Sequence, residues 1–121
     1  MRIDTPLSEI IHLIQNSQYT DFPVVDNRQV VQGMVAFSDV RSVMTDPNVS
    51  PLFVAYDVMD TQYPKIVADA TFSDALSAFN NSDLHHLPVV ESEKWPLLLG
   101  GVSRADLMSR YEQELYRKMA G

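Results

Sequence analysis

Apolar residues recur along this chain with two periods that take turns. Leu7, Ile10, Ile11 and Ile14 fall at i, i+3, i+4 and i+7, the stripe of an amphipathic helix. After a polar break comes a short run, Pro23-Val24-Val25, whose β-branched residues suit a strand. A turn rich in Asp, Asn and Arg follows, then a second strand made of Val30-Val31, Gly33 and Met34 to Phe37. That strand leads into a helix predicted to begin near Ser38. The same order then returns. Phe72, Ala75, Leu76 and Phe79 hold the helical spacing, Pro88-Val89-Val90 is the strand, Leu97 to Val102 the second strand, and a helix begins near Ala105. Both leading helices have start signals: Thr5 is placed to cap the first with Pro6 at its opening position, and Thr71 with Asp74 has the pattern of a capping box. Between the copies, Met44 to Tyr63 carries two prolines and several Asp and Asn, which predicts a connector with a short helical piece near Val54 to Met59.

The letters repeat along with the pattern. Shifted by 65 positions, Asp4 to Ile11 lies over Asp69 to Leu76, Asn16-Ser17 over Asn81-Ser82, and Phe22-Pro23-Val24-Val25-Asp26 over Leu87-Pro88-Val89-Val90-Glu91. Two extra residues in the next turn move the offset to 67, where Gly33, Val35 and Asp39 meet Gly100, Val102 and Asp106. One repeat therefore reads strand–helix–strand–strand–helix. The expected boundaries are 1–47 for the first repeat, 48–62 for the connector and 63–121 for the second. Only three residues precede Asp4, so the first strand of the first copy is nearly missing, and the chain is expected to be a piece of a longer protein.

Composition narrows the function classes. At 121 residues, 45% hydrophobic and 21% charged, the chain can bury one core of ordinary size. No stretch approaches the ~20 apolar residues of a membrane-spanning helix, and the opening residues Met1-Arg2-Ile3-Asp4 lack the apolar run of a signal peptide. There is no cysteine, which excludes disulfides and thiolate metal sites. A formal charge of −7 with scattered Lys and Arg argues against nucleic acid as a partner. His85 and His86 are adjacent in an extended segment and point to opposite faces, so they do not chelate one ion together. No nucleophile elbow, phosphate-cradling glycine loop or spaced acid–histidine constellation stands in the chain. A binding or regulatory module is therefore expected rather than an enzyme.

A helix, then Phe22-Pro23-Val24-Val25-Asp26, a turn, and Gly33-hydrophobic-Val35-x-x-x-Asp39 resembles a CBS domain. The second copy repeats the set in register, so the chain resembles a tandem CBS pair, or Bateman module, over nearly its whole length. The resemblance implies an α/β (α+β) fold of two βαββα repeats related by a pseudo-two-fold axis and packed as one module. It also implies two clefts between the repeats where adenosine-containing ligands bind, and association into a homodimer. The ending from Gly101 to Leu115, Gly-Val-Ser-Arg-Ala-Asp-Leu-Met-Ser-Arg-Tyr-Glu-Gln-Glu-Leu, resembles the C-terminal tail of CLC chloride channels and transporters, as Tyr19-x-x-Phe22-Pro23 resembles their nucleotide sites. That likeness implies a cytoplasmic regulatory module attached to a membrane-embedded channel domain of the same chain. Magnesium transport proteins, IMP dehydrogenases and stand-alone sensors also carry CBS pairs and stay open as parents.

The resemblance implies a ligand site as well, for an adenine nucleotide (ATP, ADP or AMP) acting as regulator, with no cofactor required. Tyr19 would stack on adenine, Asp106 would accept from the ribose hydroxyls, and Thr20 and Ser103 would donate to sugar or phosphate, with Phe22, Pro23 and Arg104 completing the site. Stacking of this kind is worth roughly 1–3 kcal/mol per base. The other cleft has Leu84 and His85 in place of Tyr19 and Thr20, and Ala36 in place of Ser103, and keeps only Asp39, so at most one site is expected to be filled. Each of these residues has a plainer role open to it. Asp39 and Asp106 sit near helix starts, where a carboxylate is stabilising for local reasons, and Tyr19 can be a partly buried packing residue.

Overall fold

A computed structural model describes residues 1–48 and 51–120. The first repeat contains α1 (Leu7–Gln15), β1 (Asp21–Val25), β2 (Val31–Ala36) and α2 (Phe37–Met44). A one-turn helix, α3 (Ala55–Val58), lies in the connector, and of that connector residues 49 and 50 fall outside the described ones. The second repeat contains β3 (Ile66–Val67), α4 (Phe72–Asn80), β4 (His86–Val90), β5 (Leu98–Ser103) and α5 (Arg104–Ala120). The α/β fold of two repeats that the resemblance implies is the fold observed.

The two copies agree down to their irregularities. β1 and β2 pair antiparallel with Pro23 opposite Met34, and β4 and β5 pair the same way with Pro88 opposite Gly101. Each ladder slips once, between Val24 and Val25 and between Val89 and Val90. In the second copy β3 runs parallel to the end of β4, with Val67 opposite Val90. Its counterpart is a single parallel bridge, Arg2 opposite Val25, held by the Val25 N–H on the Met1 carbonyl at 2.9 Å and the Ile3 N–H on the Val25 carbonyl at 3.1 Å. The Arg2–Val25 bridge thus stands at the position that Val67–Val90 holds in the second copy.

Helix starts differ between the copies. Thr71 accepts from the Asp74 N–H at 3.1 Å while Asp74 accepts from the Thr71 N–H at 3.0 Å, the reciprocal box predicted for α4. Thr5 does not cap α1. Its hydroxyl accepts from the Arg2 N–H at 2.9 Å, and Pro6 takes the cap position with no side-chain bond. Thr5 is buried, and its hydroxyl serves the turn beneath the helix instead.

Each helix pair covers one face of its own sheet. Ile10, Val24, Val35, Val40 and Ala55 form one core cluster, and Ile66, Ala75, Phe79 and Leu87 form another. A third cluster, Val25, Val31 and Val90 with Tyr63 and Leu98 against it, is drawn from both repeats and lies at their junction. The backbone joins there too. The Val31 N–H donates to the Pro96 carbonyl and the Leu98 N–H to the Gln29 carbonyl, both at 2.9 Å, a reciprocal pair spaced as a pseudo-two-fold axis requires. Gln29 takes a positive φ of 66° in the turn that makes this crossing, where Asp26 accepts from the Arg28 and Val30 N–H groups. None of the helices among the described residues is long and apolar enough to cross a membrane.

Candidate ligand cleft

The repeats meet along β1 and β4, whose starts lie beside one another. Asp21, only 6% exposed, opens β1 and reaches across the junction: its carboxylate accepts from the His85 N–H at 2.7 Å and the His86 N–H at 3.1 Å. A buried carboxylate holding two backbone donors is a strong clamp between the copies. Asp21 and His86 are themselves equivalent positions in the 65-residue repeat, so this clamp sits at the pseudo-two-fold axis. The His86 Nδ1 atom lies 3.8 Å from the same carboxylate and has no hydrogen-bond partner.

On one side of this clamp opens the larger cleft, about 370 Å³, within the ~300–1,000 Å³ typical of small-molecule sites. Its walls bring Tyr19, Phe22 and Pro23 from the first repeat against Ser103 and Asp106 from the second, with Gly100 and Gly101 of β5 along the floor. Tyr19 is half exposed at the mouth and meets the His86 ring edge-on, centroids 4.7 Å apart. Ser103 accepts from the Asp106 N–H at 3.0 Å, which fixes the start of α5 and leaves the Asp106 carboxylate exposed beside the cleft.

Two residues expected at this site stand outside it. Thr20 does not line the cleft; its hydroxyl donates to Asp21 at 3.2 Å, and its carbonyl accepts from the Phe37 N–H. Arg104 points away. Its guanidinium donates to the carbonyls of Phe79, Ser82 and Leu84 and lies over the Phe79 ring at 5.3 Å. The Phe79 carbonyl lies in the last turn of α4, where a cation is favoured by the helix dipole, and the Ser82 and Leu84 carbonyls belong to the segment that leaves it. The side chain is thereby committed to holding α5 on α4.

The second cleft, about 280 Å³, is lined by Asp39 with Ala36, Ser38, Asp60, Tyr63, Asp83 and Leu84. His85 is not part of it: the residue is exposed, with its N–H on Asp21 and its carbonyl accepting from the Arg104 N–H at 2.8 Å. Asp39 accepts from the Ala36 N–H at 3.1 Å, the local helix-start role open to it from sequence. Burial pushes the Tyr63 phenol above its ordinary pKa, and the Glu93 charge pushes it the same way.

What separates the clefts physically is the connector. Met34 exchanges two backbone bonds with Asp60, at 2.9 and 2.8 Å, so a strand-like segment lies on the outer edge of β2. A methyl group placed on Gly33 would come within 2.7 Å of the Asp60 carbonyl. At the equivalent Gly100 the same methyl meets nothing within 4 Å. Pro88 has no N–H, and by the alternation of an antiparallel ladder Gly101, like Met34, turns its N–H and C=O away from the neighbouring strand. Among the described residues no segment lies on that edge as Asp60 lies on Met34. The family resemblance pointed to Tyr19 and Asp106 but gave no role to Asp21, to the contact of His86 with it, or to the open β5 edge. The 65-residue offset that lays Asp21 over His86 was the available signal for the first two.

Nothing among the described residues groups three or more His, Asp or Glu as a metal would require. Residues 2–46 and 54–113 match the CBS domain model. No curated protein matches the chain in sequence. Several solved structures share its fold. The CBS domains of a transcriptional regulator from Streptococcus pneumoniae superpose with a TM-score of 0.73 at 25% identity, over 89% of this chain and 84% of that one. A Vibrio cholerae protein named for acetoin utilization (AcuB) gives 0.78 at 17% identity, over 100% and 87%. CBSX2, solved in complex with AMP, gives 0.79 at 20% identity, over 93% and 86%.

Proposed function

This chain belongs to the CBS domain family, as a tandem pair, and from that premise we propose that it is a regulatory module, not an enzyme, that binds an adenosine-containing ligand in its larger cleft. One observation carries the reading. The cleft joins an aromatic face, Tyr19, to a free carboxylate, Asp106, across an open strand edge at Gly100–Gly101. A flat heterocycle has an apolar face for Tyr19 and an edge of donors and acceptors for the Gly101 backbone. A ribose has vicinal hydroxyls to give to Asp106, as acidic residues hold ribose in dinucleotide folds. The AMP seen in CBSX2 supports the same ligand class.

Regulation then arises from differential affinity. A ligand that touches both repeats favours whichever arrangement closes the cleft, and shifts the pair by no more than that difference. The likeness of Gly101 to Leu115 to chloride-transporter tails supports a channel or transporter as the regulated partner. The transcriptional regulator among the relatives favours the wider set of parents over that one.

Thermal unfolding in the presence of AMP, beside an Asp106→Ala variant, tests the proposal. AMP at ~100 times its dissociation constant raises the stability of the fold by about 2.7 kcal/mol. The expected result is a clear rise in melting temperature that the variant loses. No rise with AMP, ADP, ATP or adenosine would leave the module a purely structural one.

A further inference from the structure

The larger cleft has an unusual charge balance for a site offered to a nucleotide. Among the residues that line it, Asp21 and Asp106 are carboxylates, and none is Lys or Arg. His86 is the one lining side chain able to gain a positive charge, and it sits against Asp21. Arg104, the cation nearest in sequence to Asp106, is held on three carbonyls at the end of α4. The Ser103 hydroxyl already accepts the Asp106 N–H. The whole chain adds a formal charge of −7 to this local field. A triphosphate entering such a cleft meets fixed negative charge and no side-chain counter-ion, whereas an amine at the same place meets carboxylates.

We propose that the cleft selects its adenosine ligand by the charge at the 5′ end, accepting a neutral or cationic substituent and excluding a polyphosphate. The inference rests on the adenosine reading above and adds the class of ligand. The apolar walls and the open β5 edge hold the base, Asp106 holds the ribose, and the carboxylates then sort ligands by the group carried on the 5′ carbon.

Calorimetric titration at low salt, with 5′-amino-5′-deoxyadenosine, adenosine, AMP and ATP, tests it directly. These probes share one nucleoside and differ in charge. The expected order is amine at or above adenosine, then AMP, then ATP, with at least a ~10-fold gap between adenosine and ATP that narrows as salt is added. Gly100→Lys places a cation where a side chain has open space, and is expected to raise ATP affinity while lowering that of the amine. ATP binding as tightly as adenosine, or tighter, overturns the charge selection and leaves the adenosine cleft standing. Charge selection is overturned in the same way if Gly100→Lys leaves both affinities unmoved. Failure of all four probes to bind the unmodified chain overturns the adenosine reading and this inference together.

Discussion

Arg104 shows how a residue's neighbours in sequence can mislead about its neighbours in space. It comes after Ser103 and before Asp106, both at the cleft, yet one step along the start of α5 turns its side chain to the opposite side. Its fork gathers the Phe79 carbonyl in the last turn of α4 and the Ser82 and Leu84 carbonyls of the segment that follows. Arg104→Met keeps the apolar stem over Phe79 and removes the donors, so it is expected to cost about 2 kcal/mol, the scale of a hydrogen bond to a charged group. Urea unfolding measures this, and adenosine affinity is expected to stay unchanged at temperatures where the variant is folded. A loss of affinity with no loss of stability would return Arg104 to the ligand site. Tyr19 and Asp106, which line one cleft, came to attention through the family resemblance. Asp21 did not, because an acid at the start of an apolar strand reads from sequence as an edge residue, and only the cross-repeat contact shows it buried.

At the scale of elements, period and duplication carried most of the information. The helical stripes of Leu7 to Ile14 and Phe72 to Phe79 became α1 and α4, and the β-branched runs became β1 and β4. The helical piece of the connector appears as α3, within the span expected. What pattern alone did not reveal was the pairing of that connector with β2, since Met59 and Asp60 carry no strand signal and their bonds are made by backbone. This pairing makes the two equivalent glycines unequal. Gly33→Ala drives a methyl into the Asp60 carbonyl and the Met59 side chain and is expected to cost about 1–3 kcal/mol, as overpacking does. Gly100→Ala enters open space and is expected to change stability by no more than about 0.5 kcal/mol. Chemical denaturation of the two variants side by side checks the asymmetry. Equal costs would mean that Met59 and Asp60 do not pack on the β2 edge as described.

The whole molecule is two small cores joined by a third, and the join leaves its helices unevenly covered. α5 has no buried residue along its length, and Tyr111, Leu115, Tyr116 and Met119 are exposed. Phe72 of α4 stacks parallel to Tyr111 at 6.2 Å, and a groove runs between them past Leu115, with Arg110, Glu114 and Lys118 at its rim. The equivalent groove between α1 and α2 is lined by Ile11, Ile14, Phe37, Val40 and Met44. Apolar surface repeated on both helix pairs, with charges of both signs at one rim, fits a second copy of the same chain, since self-complementary patches close into symmetric pairs. Against this stands the repulsion between two chains of charge −7, which salt weakens while leaving apolar contact intact. Sedimentation equilibrium is therefore expected to give twice the mass of one chain at moderate salt, with association tightening from low salt upward. Leu115→Glu puts a charge into the groove and adds to the repulsion, so it is expected to return the single-chain mass. A single-chain mass for the unmodified protein at high concentration and moderate salt would show that these helix faces are not joined by a second copy. Association untouched by Leu115→Glu would move the contact to the α1–α2 groove.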